Sequence, residues 1–209
     1  MNASTPAIVV RTHALSHGWQ GRPLLVGLDL SIPAGVTLVR GDEQTGKTTL
    51  LRLLAGEVLP DAGQIETLGQ SPTHSLALYQ RLVFRCDPFS DALDQTSASA
   101  WFEGLPTRFS DFNKTVLGDL IAGFALTPHL HKPLYMLSAG SRRKAWLCAA
   151  FASGAPVILI DQPFAALDGP SMRLLREVLQ EMGEHPSRAC VLADYEAPAD
   201  VPLACVIDL

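Results

Sequence analysis

The passage from Val36 to Gly56 constrains this chain more than any other. A short apolar run, Val36-Thr37-Leu38-Val39, empties into Gly41-Asp42-Glu43-Gln44-Thr45-Gly46-Lys47-Thr48-Thr49. Leu50, Leu51, Leu53 and Leu54 follow at helical spacing until Gly56 stops them. Gly41 to Thr48 matches G-x-x-x-x-G-K-[ST] at every fixed position. Each residue type has a chemical reason. Glycines let backbone N–H groups turn inward around a phosphate, Lys47 supplies a compact positive charge, and Thr48 offers a hydroxyl to Mg²⁺. A helix starting at Gly46 adds unpaired N–H groups and a positive dipole end. Asp42 and Glu43 put negative charge inside the same loop, and their side chains are expected to point to solvent.

The rest of the chain supplies the frame. From Ile8 to Ile32 the pattern is β-like, with apolar runs at Ile8 to Val10 and Leu24 to Leu30 flanking a turn-rich stretch from His17 to Gly21. A second apolar strand, Val157 to Ile160, ends in Asp161, and a third, Ala189 to Leu192, ends near Asp194. Strands alternating with helices predict an α/β fold with a mostly parallel sheet whose ligands gather at the strands' carboxyl ends. Asp161 stands at such an end, where a carboxylate can hold Mg²⁺ beside a phosphate loop. Between Asp87 and Tyr135 the β signal fades into a turn-rich, helix-compatible stretch that reads as an inserted helical subdomain.

Composition excludes several classes. The 209 residues are 47% apolar and 18% charged with net charge −5, which fits a globular protein and argues against disorder and against a basic nucleic-acid footprint. Cys86, Cys148, Cys190 and Cys205 form no C-x-x-C pair and read as core thiols in a reducing compartment. Met1 to Arg11 carries no basic patch followed by a long apolar stretch, so a cytoplasmic chain is expected. The longest uncharged window, between Lys144 and Asp161, is broken by Ser153, Gly154 and Pro156 and falls short of the roughly 20 residues a spanning helix needs. Any membrane role therefore goes through a partner. His129 and His131 flank Leu130 without a nearby third ligand, too few for a zinc site. Trp101 and Phe102 suit either the subdomain's core or a groove for a partner's helix.

Leu137-Ser138-Ala139-Gly140-Ser141-Arg142-Arg143-Lys144 opens an apolar helical pattern through Phe151. Cations in a first helical turn run against the macrodipole, so either an anion offsets them or they are solvated. Ser138 can cap the helix or, with the Gly140 amide, present donors to a phosphate. Here the chain resembles the nucleotide-binding domain of ABC transporters, from about Ile8 to Leu209. Leu137 to Ser141 is similar to that family's LSGGQ signature, with Ala139 for a glycine and Ser141 for the glutamine. Leu59-Pro60-Asp61-Ala62-Gly63 resembles the segment after the first helix, and Ala166-Leu167-Asp168 looks like the D-loop. Among family members, the small ATPase subunits of haem-export and cytochrome c biogenesis transporters are the most similar.

The resemblance implies a single domain over 1–209. A core with an antiparallel β portion would span 1–86 and about 154–209, and a helical subdomain with the signature helix about 87–153. It implies ATP and Mg²⁺ as ligands, an integral membrane permease and a second ATPase subunit as partners, and a peripheral place on the cytoplasmic face of the membrane. Trp19 would stack on adenine, while Ser138, Ala139, Gly140 and Asp168 would close over a partner's ATP in a head-to-tail dimer. Three positions depart from the family pattern. Gln162 replaces the glutamate of Asp-Glu-Pro, Tyr195 aligns with the histidine that contacts the γ-phosphate, and Cys86 aligns with the glutamine that couples metal site and subdomain. A neutral amide cannot accept a proton, so slow hydrolysis is expected at this chain's own site. A non-hydrolysing regulatory or scaffolding subunit is the alternative. A phosphate-loop kinase is a weaker one, because nothing in it explains Leu137 to Lys144.

Overall fold

Strands β1 (Ile8–Trp19) and β2 (Arg22–Pro33) form an antiparallel N-terminal hairpin in a computed structural model of the protein, which describes residues 6–19 and 21–209. The pairing runs from Ile8↔Pro33 to Trp19↔Arg22, so the turn-rich stretch seen in sequence becomes the hairpin's closed end. Strand β3 (Gly35–Arg40) follows at once and is buried along nearly its whole length. It leads through the glycine loop into helix α1 (Lys47–Leu54), whose Leu50, Leu51, Leu53 and Leu54 are all buried. Strand β4 (Ala62–Thr67) pairs with the other side of β1 and completes a three-stranded sheet of order β2-β1-β4.

After the short helix α2 (Leu76–Tyr79) and strand β5 (Val83–Cys86), the chain enters a helical stretch. Helix α3 (Ala98–Arg108) is capped by Ser97 and α4 (Lys114–Gly123) by Asn113, whose side chain accepts from the N–H groups of Thr115 and Val116. Helix α5 (Ala139–Ala152) packs on α4, and the ring of Trp101 lies 4.6 Å from that of Trp146. Phe102 is buried, so both aromatics that the sequence left open contribute to packing within this stretch.

Strand β6 (Val157–Asp161), helix α6 (Gly169–Gly183), strand β7 (Ala189–Asp194) and strand β8 (Leu203–Asp208) complete the chain. The second sheet has order β5-β6-β7-β3-β8, with parallel pairing between β6 and β7, β7 and β3, and β3 and β8. The chain divides into two compact units. One holds the residues up to Arg85 with Pro156–Pro163 and Leu179–Leu209, and contains the three-stranded sheet. The other holds Cys86–Ala155 and Phe164–Val178. Among the four cysteines, Cys86, Cys148 and Cys190 are buried as expected, whereas Cys205 on edge strand β8 is partly exposed.

One buried polar contact ties the end of α1 to β4. The Tyr79 hydroxyl donates to the Leu54 carbonyl at 2.7 Å and accepts from Thr67 Oγ1 at 3.1 Å, with Tyr79 wholly out of solvent. Tyr79→Phe leaves both groups without this partner and is expected to lower stability by about 1–3 kcal/mol, read by urea denaturation. Burial pushes the Tyr79 hydroxyl from 10.0 up to about 12. The unfolded chain releases this proton first, so the contribution is full below pH 10.0 and is lost as pH rises to about 12. The stability gap between wild type and Tyr79→Phe should therefore narrow across that window.

Candidate functional site

Parallel register builds the site. Leu38 lies opposite Leu192, Val39 opposite Ala193 and Arg40 opposite Asp194, while Asp161 lies opposite Ala193 on the other side of β7. The chain leaves all three strands at one edge, which brings the glycine loop after β3, Gln162 after β6 and Tyr195 after β7 to the same place. A backbone hydrogen bond from Gln162 N–H to the Ala193 carbonyl, 2.8 Å, extends the ladder one residue past the strand end. Gln162 takes a left-handed backbone, φ 48°, uncommon for a side chain of its kind.

The loop itself is ordered by its own polar groups. Lys47, only 9% exposed, donates to the Gly41 and Asp42 carbonyls at 2.5 and 2.6 Å, and Thr45 Oγ1 donates to Asp42 O at 3.0 Å. Gly46 has φ 104° and lies so close to β2 that an added Cβ would be 2.9 Å from Leu25 Cδ2. Only glycine fits that place without strain. Gly46 is also the N-cap of α1, with no side-chain hydrogen bond and no acidic residue in the first turn. The helix's leading N–H groups thus face the loop's interior without a side-chain acceptor.

A cleft of about 680 Å³ opens above the loop, within the size range of small-molecule sites. Its floor is Glu43, Gln44, Gly46, Lys47, Thr48 and Thr49; Asp161, Gln162 and Tyr195 line one side, and Trp19 lines another. Gly41, Asp42 and Thr45 belong to the same loop but not to the cleft lining. Trp19 is 66% exposed, a ring surface presented to solvent at the hairpin's end. Arg22, Pro23 and Leu24 also line the cleft and escape sequence reasoning, because they match no motif. The signal that finds them is the Trp19↔Arg22 pairing, which sets them beside the aromatic.

Thr48 Oγ1 donates to Asp161 Oδ2 at 2.5 Å, so a hydroxyl and a carboxylate oxygen converge on one point at the cleft floor. This all-oxygen set suits Mg²⁺, which prefers hard oxygen ligands and keeps several waters. Tyr195 is placed against the loop. Its ring centroid is 4.6 Å from Lys47 Nζ and its hydroxyl donates to Glu43 Oε1 at 3.3 Å. Partial burial, and then the Glu43 carboxylate, raise the Tyr195 hydroxyl above its ordinary pKa. Glu43 is exposed as expected, yet its carboxylate is engaged rather than simply solvated. Cys86 donates its thiol to the Trp146 carbonyl at 3.6 Å.

Ser138, Ala139, Gly140 and Asp168 belong to the other unit. Ser138 caps α5 by accepting from Ser141 N–H at 3.1 Å, and its hydroxyl lies 3.0 Å from Ser141 Oγ. An added Cβ at Gly140 would sit 2.5 Å from the Ala166 carbonyl oxygen, so the close approach of the 164–168 segment requires glycine there. Two of the three cations that follow find carboxylates within their own unit. Arg142 pairs with Asp94 at 2.7 Å and Lys144 with Asp168 at 2.6 Å, while Arg143 is buried with its guanidinium 5.9 Å from the Phe89 ring. Asp168 also accepts from Ser171 N–H at 2.9 Å, and the Lys144 ammonium, followed by Ser171, holds its pKa far below the usual carboxylate range.

Comparison with known proteins shows the family and the fold. The family model described as ABC transporter matches residues 25–165. The Cytochrome c biogenesis ATP-binding export protein CcmA of Pseudomonas syringae pv. syringae is 32% identical over 82% of this chain and 81% of its own length. The Taurine import ATP-binding protein TauB of Pseudomonas entomophila is 29% identical over 87% of this chain and 70% of its own. Among solved structures, a putative ABC transporter ATP-binding protein from Pyrococcus furiosus superposes with TM-score 0.76 at 21% identity, covering 96% of both chains. An ATP-binding subunit of an ABC transporter superposes with TM-score 0.79 at 18% identity, over 88% of this chain and 79% of its own. These last two establish the fold: an α/β phosphate-loop ATPase with a mostly parallel sheet, an antiparallel β portion and helices. The chain therefore belongs to the ABC transporter family and is one of its ATP-binding domains.

Proposed function

We propose that this chain is the ATP-binding subunit of a transporter complex, that it holds Mg-ATP firmly in the cleft over the glycine loop, and that it hydrolyses the nucleotide slowly. The observation that carries the reading is the chemistry at the end of β6, where Asp161 meets Thr48 and the next residue is the amide Gln162. In the binding half, Lys47 and the leading N–H groups of α1 receive the phosphates, and Trp19 offers its exposed face to the base. Thr48 and Asp161 would hold Mg²⁺, which when bound neutralises charge on the phosphate oxygens. In the hydrolytic half, Gln162 can orient a water but takes no proton from it. General bases contribute about 10²–10⁴ in rate, and that contribution is missing here.

The assembly follows from the same reading. Ser138, Gly140 and Asp168 resemble the residues that, in the family, serve the ATP of a partner in a head-to-tail dimer, whereas the altered Gln162, Tyr195 and Cys86 serve the chain's own site. The subunit thus completes a competent site on a second ATPase subunit while binding ATP in its own. Among the described residues no helix is long and apolar enough to cross a membrane, so coupling to transport runs through an integral membrane permease at the cytoplasmic face. Relatives named for import and for export both match.

Calorimetry should detect Mg-ATP binding by the purified chain, and Lys47→Ala should weaken it at least about tenfold by removing a charge-assisted contact to phosphate. Thr48→Ala should reduce the gain in affinity that Mg²⁺ brings. In single-turnover assays Gln162→Glu should raise the hydrolysis rate by about 10²-fold or more. Wild-type turnover equal to that of Gln162→Glu would overturn the slow-hydrolysis reading.

A further inference from the structure

Lys47 and Tyr195 meet in a way that the binding reading does not use. The ammonium sends donors to two loop carbonyls, Gly41 and Asp42, and its remaining side faces the Tyr195 ring at 4.6 Å. The ring is held from its far end by the hydroxyl's bond to Glu43 Oε1, and at its base Tyr195 N–H donates to Asp194 Oδ1 at 2.8 Å. Tyr195 is 42% exposed and lines the cleft, so its ring stands at the surface rather than in the core. Glu43 is a carboxylate inside a loop built to receive anions, a choice that works against phosphate unless it has another task.

We propose that Tyr195, anchored by Glu43, is a latch over the phosphate subsite: its ring occupies the side of Lys47 that an incoming phosphate needs, and it swings out when nucleotide enters. The inference rests on the Mg-ATP reading above and adds a regulation of that same site. The competition is unequal. A ring quadrupole attracts an ammonium more weakly than a polyphosphate does, so the latch lowers affinity without abolishing binding. In population terms the open cleft is a minor state, and apparent affinity falls by the fraction of molecules with the ring displaced. The same arrangement gives a partner or permease a lever, because any contact that draws Tyr195 from Glu43 raises ATP occupancy.

The test is calorimetric titration of the full chain with Mg-ATP, comparing wild type with Tyr195→Ala, Tyr195→Phe and Glu43→Ala. Tyr195→Ala should bind about tenfold more tightly, and Tyr195→Phe, which keeps the ring and loses only the anchor, should fall between. Glu43→Ala removes the hydroxyl's acceptor and also a negative charge near the phosphates, so its effect must be separated by a cycle. The latch requires Glu43→Ala to tighten binding less in Tyr195→Phe than in wild type. Equal or weaker ATP affinity in Tyr195→Ala, with wild type binding measurably, overturns the latch and leaves the nucleotide reading standing. Absence of binding in both chains overturns the two together.

Discussion

The site depends on the parallel ladder of β6, β7 and β3, because no single segment carries it. Adjacent strands lie about 4.8 Å apart, and a register of Val39↔Ala193 and Asp161↔Ala193 therefore fixes where three separate exits from the sheet emerge. Val36, Leu38 and Val39 are buried, as are Val157 to Ile160 and Ala189 to Ala193, so apart from the buried Thr37 the strands are apolar on both faces. In such strands side-chain alternation does not choose the register, which the backbone hydrogen bonds and the flanking helices set instead. A slip of one residue would carry Asp161 away from Thr48 and break the 2.5 Å contact on which the oxygen set rests.

Around that frame the charges are balanced locally. Positive potential at the cleft floor comes from Lys47 and from the uncapped start of α1. The loop's own carbonyls hold the ammonium in place, so the charge is positioned before any ligand arrives, which lowers the ordering cost of binding. The second unit solves a similar problem differently. Its run of cations after Ser138 opposes the α5 macrodipole, and Asp94 and Asp168 answer it with ion pairs. Asp168 is held in its ionised form by Lys144 and Ser171, a fixed charge at the start of α6.

The elements legible in the sequence are those with a strong period or a strong motif. The β1–β2 hairpin, the β3–loop–α1 passage, β6 and β7 all follow from apolar runs closed by glycine, proline or aspartate. Strands β4, β5 and β8 are not placed by the sequence reading. Within β4 only Ile65 and Thr67 are buried and β5 is short, whereas β8 does carry an apolar run, Leu203 to Ile207, but no motif marks it and half of its residues are exposed on the sheet edge. Residue identities at the cleft can be read from the motif, but their contacts cannot. Arg22 enters through hairpin register, and the sequence reads the signature cations as offset or solvated without naming Asp94. That Tyr195 rests on Lys47 is a rotamer choice, which spacing along a chain does not encode.

Binding and hydrolysis draw on different atoms, and this separation gives the altered positions their meaning in the proposed reading. A polyphosphate cradle needs backbone N–H groups, an ammonium and two oxygens for a metal, and this chain has all of them in register. Hydrolysis needs in addition a proton acceptor aligned with a water, which Gln162 does not supply. Removing the second requirement leaves the binding free energy intact, so nucleotide acts as a ligand that favours whichever state buries it. In that reading the subunit would contribute to a transport cycle more through assembly than through the slow chemistry at its own cleft. Turnover of such an assembly would be set by the partner's site, to which Ser138, Gly140 and Asp168 would be presented from a helix start already organised by its own cap and ion pairs.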